Sequence, residues 1–217
     1  MNVQVKIEVR MDQMKSNPSA VVFDLGGVLI DVDPRYLYRQ MSHDEARIEH
    51  FLAQICTPAW NFEQDRGRST DEATEELIRR HPPHADWIRA YYGEHGKTFR
   101  DAIAGTVEIL QALKDNGVPV FALSNWNGEC FQVAEARFPF LDLFEDIVVS
   151  GRVGLCKPEL EIYELASRRF GYSAQEIFFI DDREENLEPA IKLDWRTHLY
   201  RSPDALERSL LQFEILQ

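Results

Sequence analysis

A chain of 217 residues suits one α/β domain carrying an insertion, or two small domains. Hydrophobic residues make up 44% and charged residues 28%, an ordinary globular composition that excludes wholesale disorder and a collagen-like fibre. With 24 Lys and Arg against 37 Asp and Glu the net charge is −13, so no basic surface is expected to track a nucleic-acid backbone and no nucleic-acid partner is predicted.

Residues 1–19 are polar and weakly patterned, although VQVKIEV alternates like a strand; they read either as an edge strand or as an N-terminal extension. From Ala20 the texture changes. AVVFD (20–24) is a short run of β-branched and aromatic residues ending in an acid and followed by two glycines, which suits a central parallel strand. Nearly a hundred residues without a convincing strand follow, far more than a simple crossover of about a dozen needs. SHDE (42–45) and STDE (69–72) read there as capping boxes at helix starts, and HPPHADWIRAYY (81–92) as a further short helix with aromatic anchors. A helical module inserted over residues 35–100 is therefore predicted.

Beyond it the pattern alternates again. VPVFALS (118–124), DIVVS (146–150), EIFFID (176–181) and RTHLY (196–200) resemble the first strand. VEILQALKDNG (107–117), CFQVAEARF (130–138), PELEIYELASRRFG (158–171) and SPDALERSLLQF (202–213) read as helices, the third opening on Pro158 and closing on Gly171. The predicted fold is α/β, a Rossmann-like parallel sheet with helices on both faces, its core divided into 20–34 and 101–217. No apolar stretch approaches the roughly 20 residues of a membrane span, and no basic then apolar segment opens the chain, so a soluble cytoplasmic protein with no membrane partner, monomeric or homodimeric, is expected. Cys56, Cys130 and Cys156, with neither a CxxC pair nor a neighbouring His, are expected to be idle thiols rather than a disulfide framework or a zinc site.

Ligands of open parallel sheets bind at the carboxyl ends of the strands, so the terminal residues belong together. These are Asp24, Ser124 with Asn125, and Asp181 with Asp182, to which the loop GLCKPE (154–159) adds Lys157. Adjacent carboxylates at the end of an apolar strand repel unless a cation or strong donors sit between them.

The ordered set VVFDLGGVLID, FALSN, GLCKPE and IFFIDDREENLEPA resembles the four signatures of the haloacid dehalogenase superfamily of aspartate-nucleophile hydrolases, over residues 20 to 200. It is similar to the subgroup with a helical cap inserted after the first motif, notably enzymes of the α-D-glucose-1-phosphate phosphatase type, and FEQDRGRSTDEA (62–73) resembles their cap. The resemblance implies a magnesium-dependent phosphatase of a small phosphorylated metabolite, with a sugar phosphate among the candidates. It implies Asp24 as nucleophile and Mg2+ held by Asp24, the Gly26 carbonyl and Asp182, with Asp181 as a further ligand or a partner of one. It implies that Ser124, Asn125 and the amides around Leu25 and Gly26 hold the phosphoryl oxygens, and that Lys157 offsets the developing charge.

Most phosphatases of the superfamily carry a second Asp two positions after the nucleophile as general acid and base, whereas this chain has Gly26, a glycine that the resembling subgroup shares. A missing proton donor costs on the order of a hundredfold or more in rate, so the proton comes from elsewhere, or activity is weak, or the leaving group is good. Asp31 and Asp33, in DVDP, read as loop leading into the cap. Trp60, Arg66 and Arg68 are the cap residues best suited to a substrate. Two alternatives stand beside the phosphatase: a non-catalytic phosphometabolite-binding protein, and a 2-haloacid dehalogenase, which the paired acids and the absence of an aromatic residue at position 26 disfavour.

Overall fold

The computed structural model describes residues 17–216, so the VQVKIEV segment lies outside the described residues. In chain order, β1 (Ala20–Phe23) is followed by β2 (Ile30–Val32), by five helices and by β3 (Phe99–Ala102). The helices are α1 (Pro34–Met41), α2 (Glu45–Gln54), α3 (Pro58–Asp65), α4 (Thr70–Arg80) and α5 (Ala85–Gly93). Then come α6 (Ala104–Asp115), β4 (Val120–Ser124), α7 (Phe131–Arg137), β5 (Asp146–Val149) and α8 (Ser150–Val153). The chain continues through α9 (Leu160–Phe170), β6 (Ile177–Asp181), α10 (Glu184–Lys192), β7 (Arg196–Leu199) and α11 (Pro203–Gln212).

Five strands form one parallel sheet in the order β5-β4-β1-β6-β7. Its strands read as continuous apolar runs because both faces are covered. Val21, Phe23, Phe178 and Ile180 point to one face and pack with Leu110 and Leu113 of α6 and Leu206 and Leu210 of α11. Ala20, Val22, Ile177 and Phe179 point to the other, against Ile162 and Tyr163 of α9 and Leu187 and Ala190 of α10. The order reverses at β1, which places the carboxyl ends of β1, β4 and β6 around one crevice.

Between β2 and β3 the helices bury their own cluster, including Leu37, Tyr38, Phe51, Trp60, Leu77 and Trp87. The strandless reading of this stretch is corrected: β2 and β3 pair antiparallel, Ile30 with Ala102 and Val32 with Phe99, as a ribbon through which the chain leaves and re-enters. Strands of three and four residues are too short to show an alternating pattern. The first expected capping box is also corrected. Ser42 terminates α1, its backbone N–H donating to the Tyr38 carbonyl, while Asp44 caps α2 by accepting from the Arg47 N–H at 3.0 Å. Ser69 does cap α4. Pro158 does not open α9, which begins at Leu160 after Glu159. No helix among the described residues is long and apolar enough to cross a membrane.

Candidate active site

The end of β1 is tied to the end of β6, the Asp24 N–H donating to the Ile180 carbonyl at 2.8 Å. Asp24, Asp181 and Asp182 each then offer a carboxylate oxygen within 4.8 Å of the others. Into this cluster Lys157 projects its ammonium, 3.1 Å from Asp24 Oδ1 and 2.6 Å from Asp181 Oδ2. Lys157 and Asp181 are buried, and Asp24 nearly so.

The two members of the acidic doublet differ sharply. Asp181 is saturated: beyond Lys157, it accepts from the Arg183 N–H at 2.9 Å and from Asn186 Nδ2 at 3.0 Å. It holds the lysine and the first turn of α10 in place. Asp182 has no side-chain hydrogen-bond partner among the described residues, and it lines the cavity. The turn after β1 closes on it, since Gly27 sits at φ +74° and a Cβ there would fall 2.5 Å from Asp182 Oδ2. Only glycine supports both that backbone conformation and that approach.

Burial pushes the Asp24 carboxyl up to about 7, against the pull of Lys157 and with the added push of Asp181 and Asp182. Burial, then Asp181, also raises Asp182. Burial alone would depress Lys157, but Asp181 and Asp24 outweigh it and hold its ammonium above the ordinary value. Three carboxylates therefore face one fixed ammonium. Such a set of hard oxygen donors with surplus negative charge fits a small divalent cation of the magnesium type.

Ser124 ends β4 and lines the same cavity, of about 660 Å3, as Asp24, Gly26, Asn125, Lys157 and Asp182. Leu25 is buried, and its N–H is taken by Asp24 Oδ1 at 2.7 Å. The Asn125 side chain is engaged in positioning: Nδ2 donates to the Lys157 carbonyl and Oδ1 accepts from the Lys157 N–H, both at 2.8 Å. The lysine is thus oriented from its backbone by β4 and from its tip by β6.

The other expected residues lie elsewhere. Asp33 caps α1 and Asp31 accepts from the Tyr36 hydroxyl at 2.8 Å. Trp60 packs among Tyr91 and Tyr92 in the helical cluster, Arg66 pairs with Glu159, and Arg68 pairs with Glu76. None of the three lines the cavity. The opposite, helical wall is made instead by residues such as Pro34, Leu52, Ala53 and Phe62, with Asn61 and Asp65, and Val32 of β2 adjoins it. Asp65 lies within FEQDRG, but helical periodicity alone does not show that it faces the sheet. Asn186 carried a signal: five residues after Asp181, it falls on the first turn of α10, within reach of the strand end.

The thiols of Cys56, Cys130 and Cys156 are free and buried, and burial raises each of them.

An open parallel sheet with an acidic cluster and a buried lysine at the carboxyl ends of its strands defines an α/β protein with a hydrolase-type site. A model of the haloacid dehalogenase-like hydrolase family matches residues 18–194, and the chain belongs to that family. Among curated relatives it is 28% identical over 176 residues to the sesquiterpene phosphatase astK of Aspergillus oryzae, covering 77% of this chain and 82% of that protein. It is also 28% identical over 203 residues to the drimenol cyclase drtB of Aspergillus calidoustus, covering 88% of this chain but only 35% of the length of that relative. Its fold is similar to that of a family enzyme from Bacteroides thetaiotaomicron, crystallised as a variant with magnesium and inorganic phosphate. That likeness has a TM-score of 0.67 at 24% identity and covers 85% of this chain and 95% of the other.

Proposed function

We propose that this chain is a magnesium-dependent phosphatase that cleaves a small phosphoric monoester through an aspartyl-phosphate on Asp24. The observation that carries the reading is the cluster of Asp24, Asp181 and Asp182 around a single buried lysine. Magnesium held by Asp24, the Gly26 carbonyl and Asp182 would offset the repulsion between the carboxylate and the anionic ester. Asp24 attacks phosphorus, and water then releases phosphate from the aspartyl ester. Ser124 and the backbone amides at Gly26 and Asn125 receive the phosphoryl oxygens. Lys157, fixed by Asp181 and by the Asn125 side chain, offsets charge on Asp24 as the transition state forms. Asp181 acts through Lys157 and Asn186 and so supports the ligand set from behind. A dehalogenase would have no use for two further carboxylates crowded on its nucleophile.

The five helices between β2 and β3 serve in this reading as the cap over the strand ends. Its wall favours a substrate with an apolar body over a sugar. Val32, Pro34, Leu52, Ala53, Pro58 and Phe62 face the cavity, while Arg35 and Glu49 at the same wall are satisfied by each other at 2.8 Å. A sugar would find few free partners for its hydroxyls there. The similarity to a sesquiterpene phosphatase supports the same choice. Three unpaired thiols accord with work in a reducing compartment such as the cytoplasm.

The test is phosphate release by the purified chain from a long-chain alkyl or isoprenyl monophosphate and from a hexose phosphate. Release is expected to require magnesium, to vanish in Asp24→Asn, and to show the higher kcat/KM on the apolar ester. Release that survives both chelation and Asp24→Asn overturns the phosphatase reading. A preference for the hexose ester overturns the substrate reading alone.

A further inference from the structure

An alkyl phosphate has a poor leaving group, so its cleavage needs a proton at the departing oxygen, and Gly26 offers none. Two carboxylates lie on the helical wall of the cavity, Glu49 and Asp65. Glu49 is bound through both oxygens to Arg35. Asp65 has no ion-pair partner among the described residues. It is the last residue of α3, shares the cavity with Asp24, Ser124 and Lys157, and shares an adjoining recess with Gly26, Asn125 and Arg183.

The backbone around Asp65 is fastened to the sheet side rather than left to the helices alone. Ser150 Oγ donates to the Asp65 carbonyl at 2.6 Å, Asn127 Nδ2 donates to the Gln64 carbonyl at 2.9 Å, and Arg66 pairs with Glu159. Ser150 itself accepts from the Trp126 N–H at 2.9 Å. The segments that follow β4 and β5, the first starting at Asn125 and the second leading to Lys157, therefore also fix the end of α3. The approach is close enough that a Cβ on Gly67 would lie 3.1 Å from the Gly151 carbonyl oxygen. The side chain is oriented too: Asn61 Nδ2 donates to Asp65 Oδ2 at 2.7 Å, and the Tyr92 hydroxyl fixes the Asn61 amide by donating to its Oδ1 at 2.8 Å.

We propose that Asp65 is the proton donor to the leaving oxygen, and then the base for the attacking water, in place of the carboxylate that position 26 lacks. In the first step Asp24 forms its bond to phosphorus, the ester P–O bond breaks with its electron pair going to oxygen, and the Asp65 proton passes to that oxygen to give a neutral alcohol. In the second, Asp65 takes a proton from water as the water oxygen bonds to phosphorus and the Asp24 ester bond breaks. Asp65 is thereby returned to its acid form.

Its surroundings suit the role. Burial pushes Asp65 up to about 7, against the pull of the Asn127 amide, Arg183 and Asn61. Tyr91, Tyr92, Cys130 and Cys156 also bear on it, and burial keeps each of these neutral. Arg183 is the charged group whose pull reaches it, Asp24, Asp182 and Lys157 line the same cavity, and His95, which shares the recess, is held neutral by burial.

The inference rests on the phosphatase reading, and two esters separate the two claims: a long-chain alkyl phosphate and p-nitrophenyl phosphate, whose leaving group needs no proton. Asp65→Asn is expected to lower kcat/KM on the alkyl ester about a hundredfold or more and on the aryl ester less than about threefold. In the wild-type chain kcat/KM on the alkyl ester is expected to fall on the alkaline side, where Asp65 loses its proton, with no such limb on the aryl ester. A Cβ on Gly26 meets nothing within 4 Å, so Gly26→Asp placed in the Asp65→Asn chain is expected to restore part of the alkyl turnover.

Equal loss on both esters, or undiminished alkyl turnover, overturns the role of Asp65 and leaves the phosphatase intact. A wild-type chain that releases phosphate from neither ester overturns the function itself. Should Asp65→Asn fail to fold, the wild-type pH profiles decide: an alkaline limb shared by both esters, or present on neither, overturns the proposal.

Discussion

The two walls of the cavity are held in different ways. On the sheet side, Asp24, Ser124, Asp181 and Asp182 stand at the ends of strands whose register is fixed by a core on both faces, and Lys157 is clamped at its tip and its backbone. On the helical side, apolar residues hang on a separate cluster, and the end of α3 and the start of α4 are fastened across to the sheet side, the Thr70 hydroxyl donating to Glu129. The sheet wall concentrates charge, and the helical wall supplies shape. In the proposed site the sheet wall runs the reaction and the helical wall selects the substrate, and Asp65 serves the reaction because its end of α3 is tied to the sheet side.

The contrast is broken most severely at Asp181. Asp181→Ala leaves Lys157 and Asn186 without their shared partner in the interior and is expected to cost about 3 kcal/mol of stability. Urea unfolding measures the loss; a stability unchanged within error would mean that the lysine has another resting place. Its neighbour should behave in the opposite sense. Asp182→Asn is expected to leave stability in chelator unchanged or improved, while raising the half-saturating magnesium concentration on the order of tenfold or more.

A smaller effect follows from burial of Asp24 and Asp65, both pushed from 3.8 to about 7. Folding takes up protons at these groups, so their contribution to stability is present below about pH 4 and is lost as pH rises through about 7. In the proposed site magnesium is held by Asp24 in its ionised form. The gain in Tm from magnesium over chelator is therefore expected to widen from pH 5 to neutrality, as differential scanning fluorimetry would show; a gain independent of pH contradicts it. The smallest effect belongs to the outer face of the helices: Arg68→Ala, which breaks an exposed pair with Glu76, is expected to change KM less than about twofold.

Much of the sheet wall was legible in the sequence because strand-terminal residues announce themselves. Short apolar runs ending in Asp24, Ser124 and Asp181 place those side chains at one edge once the sheet is parallel. The helical wall was not legible in the same way. Trp60, Arg66 and Arg68 looked useful by chemical type, yet the first belongs to a core and the others to ion pairs. Which face of α3 meets the cavity depends on how its end docks on Ser150 and Asn127, residues about ninety and sixty positions away that no helical period encodes. The ribbon of β2 and β3 escaped notice because its strands are three and four residues long. The Asn125 side chain serves Lys157, a role that its place beside Ser124 in the sequence does not announce.

The central claim is that Asp24 itself carries the phosphoryl group when a divalent ion shares its carboxylate. Acid quench of the magnesium-loaded chain during turnover of an alkyl phosphate, followed by peptide mapping, tests it most directly. An acid-stable, base-labile phosphoryl adduct is expected on the peptide containing Asp24, absent in chelator. Turnover with no adduct on that peptide, or with the phosphoryl group on another residue, would contradict it.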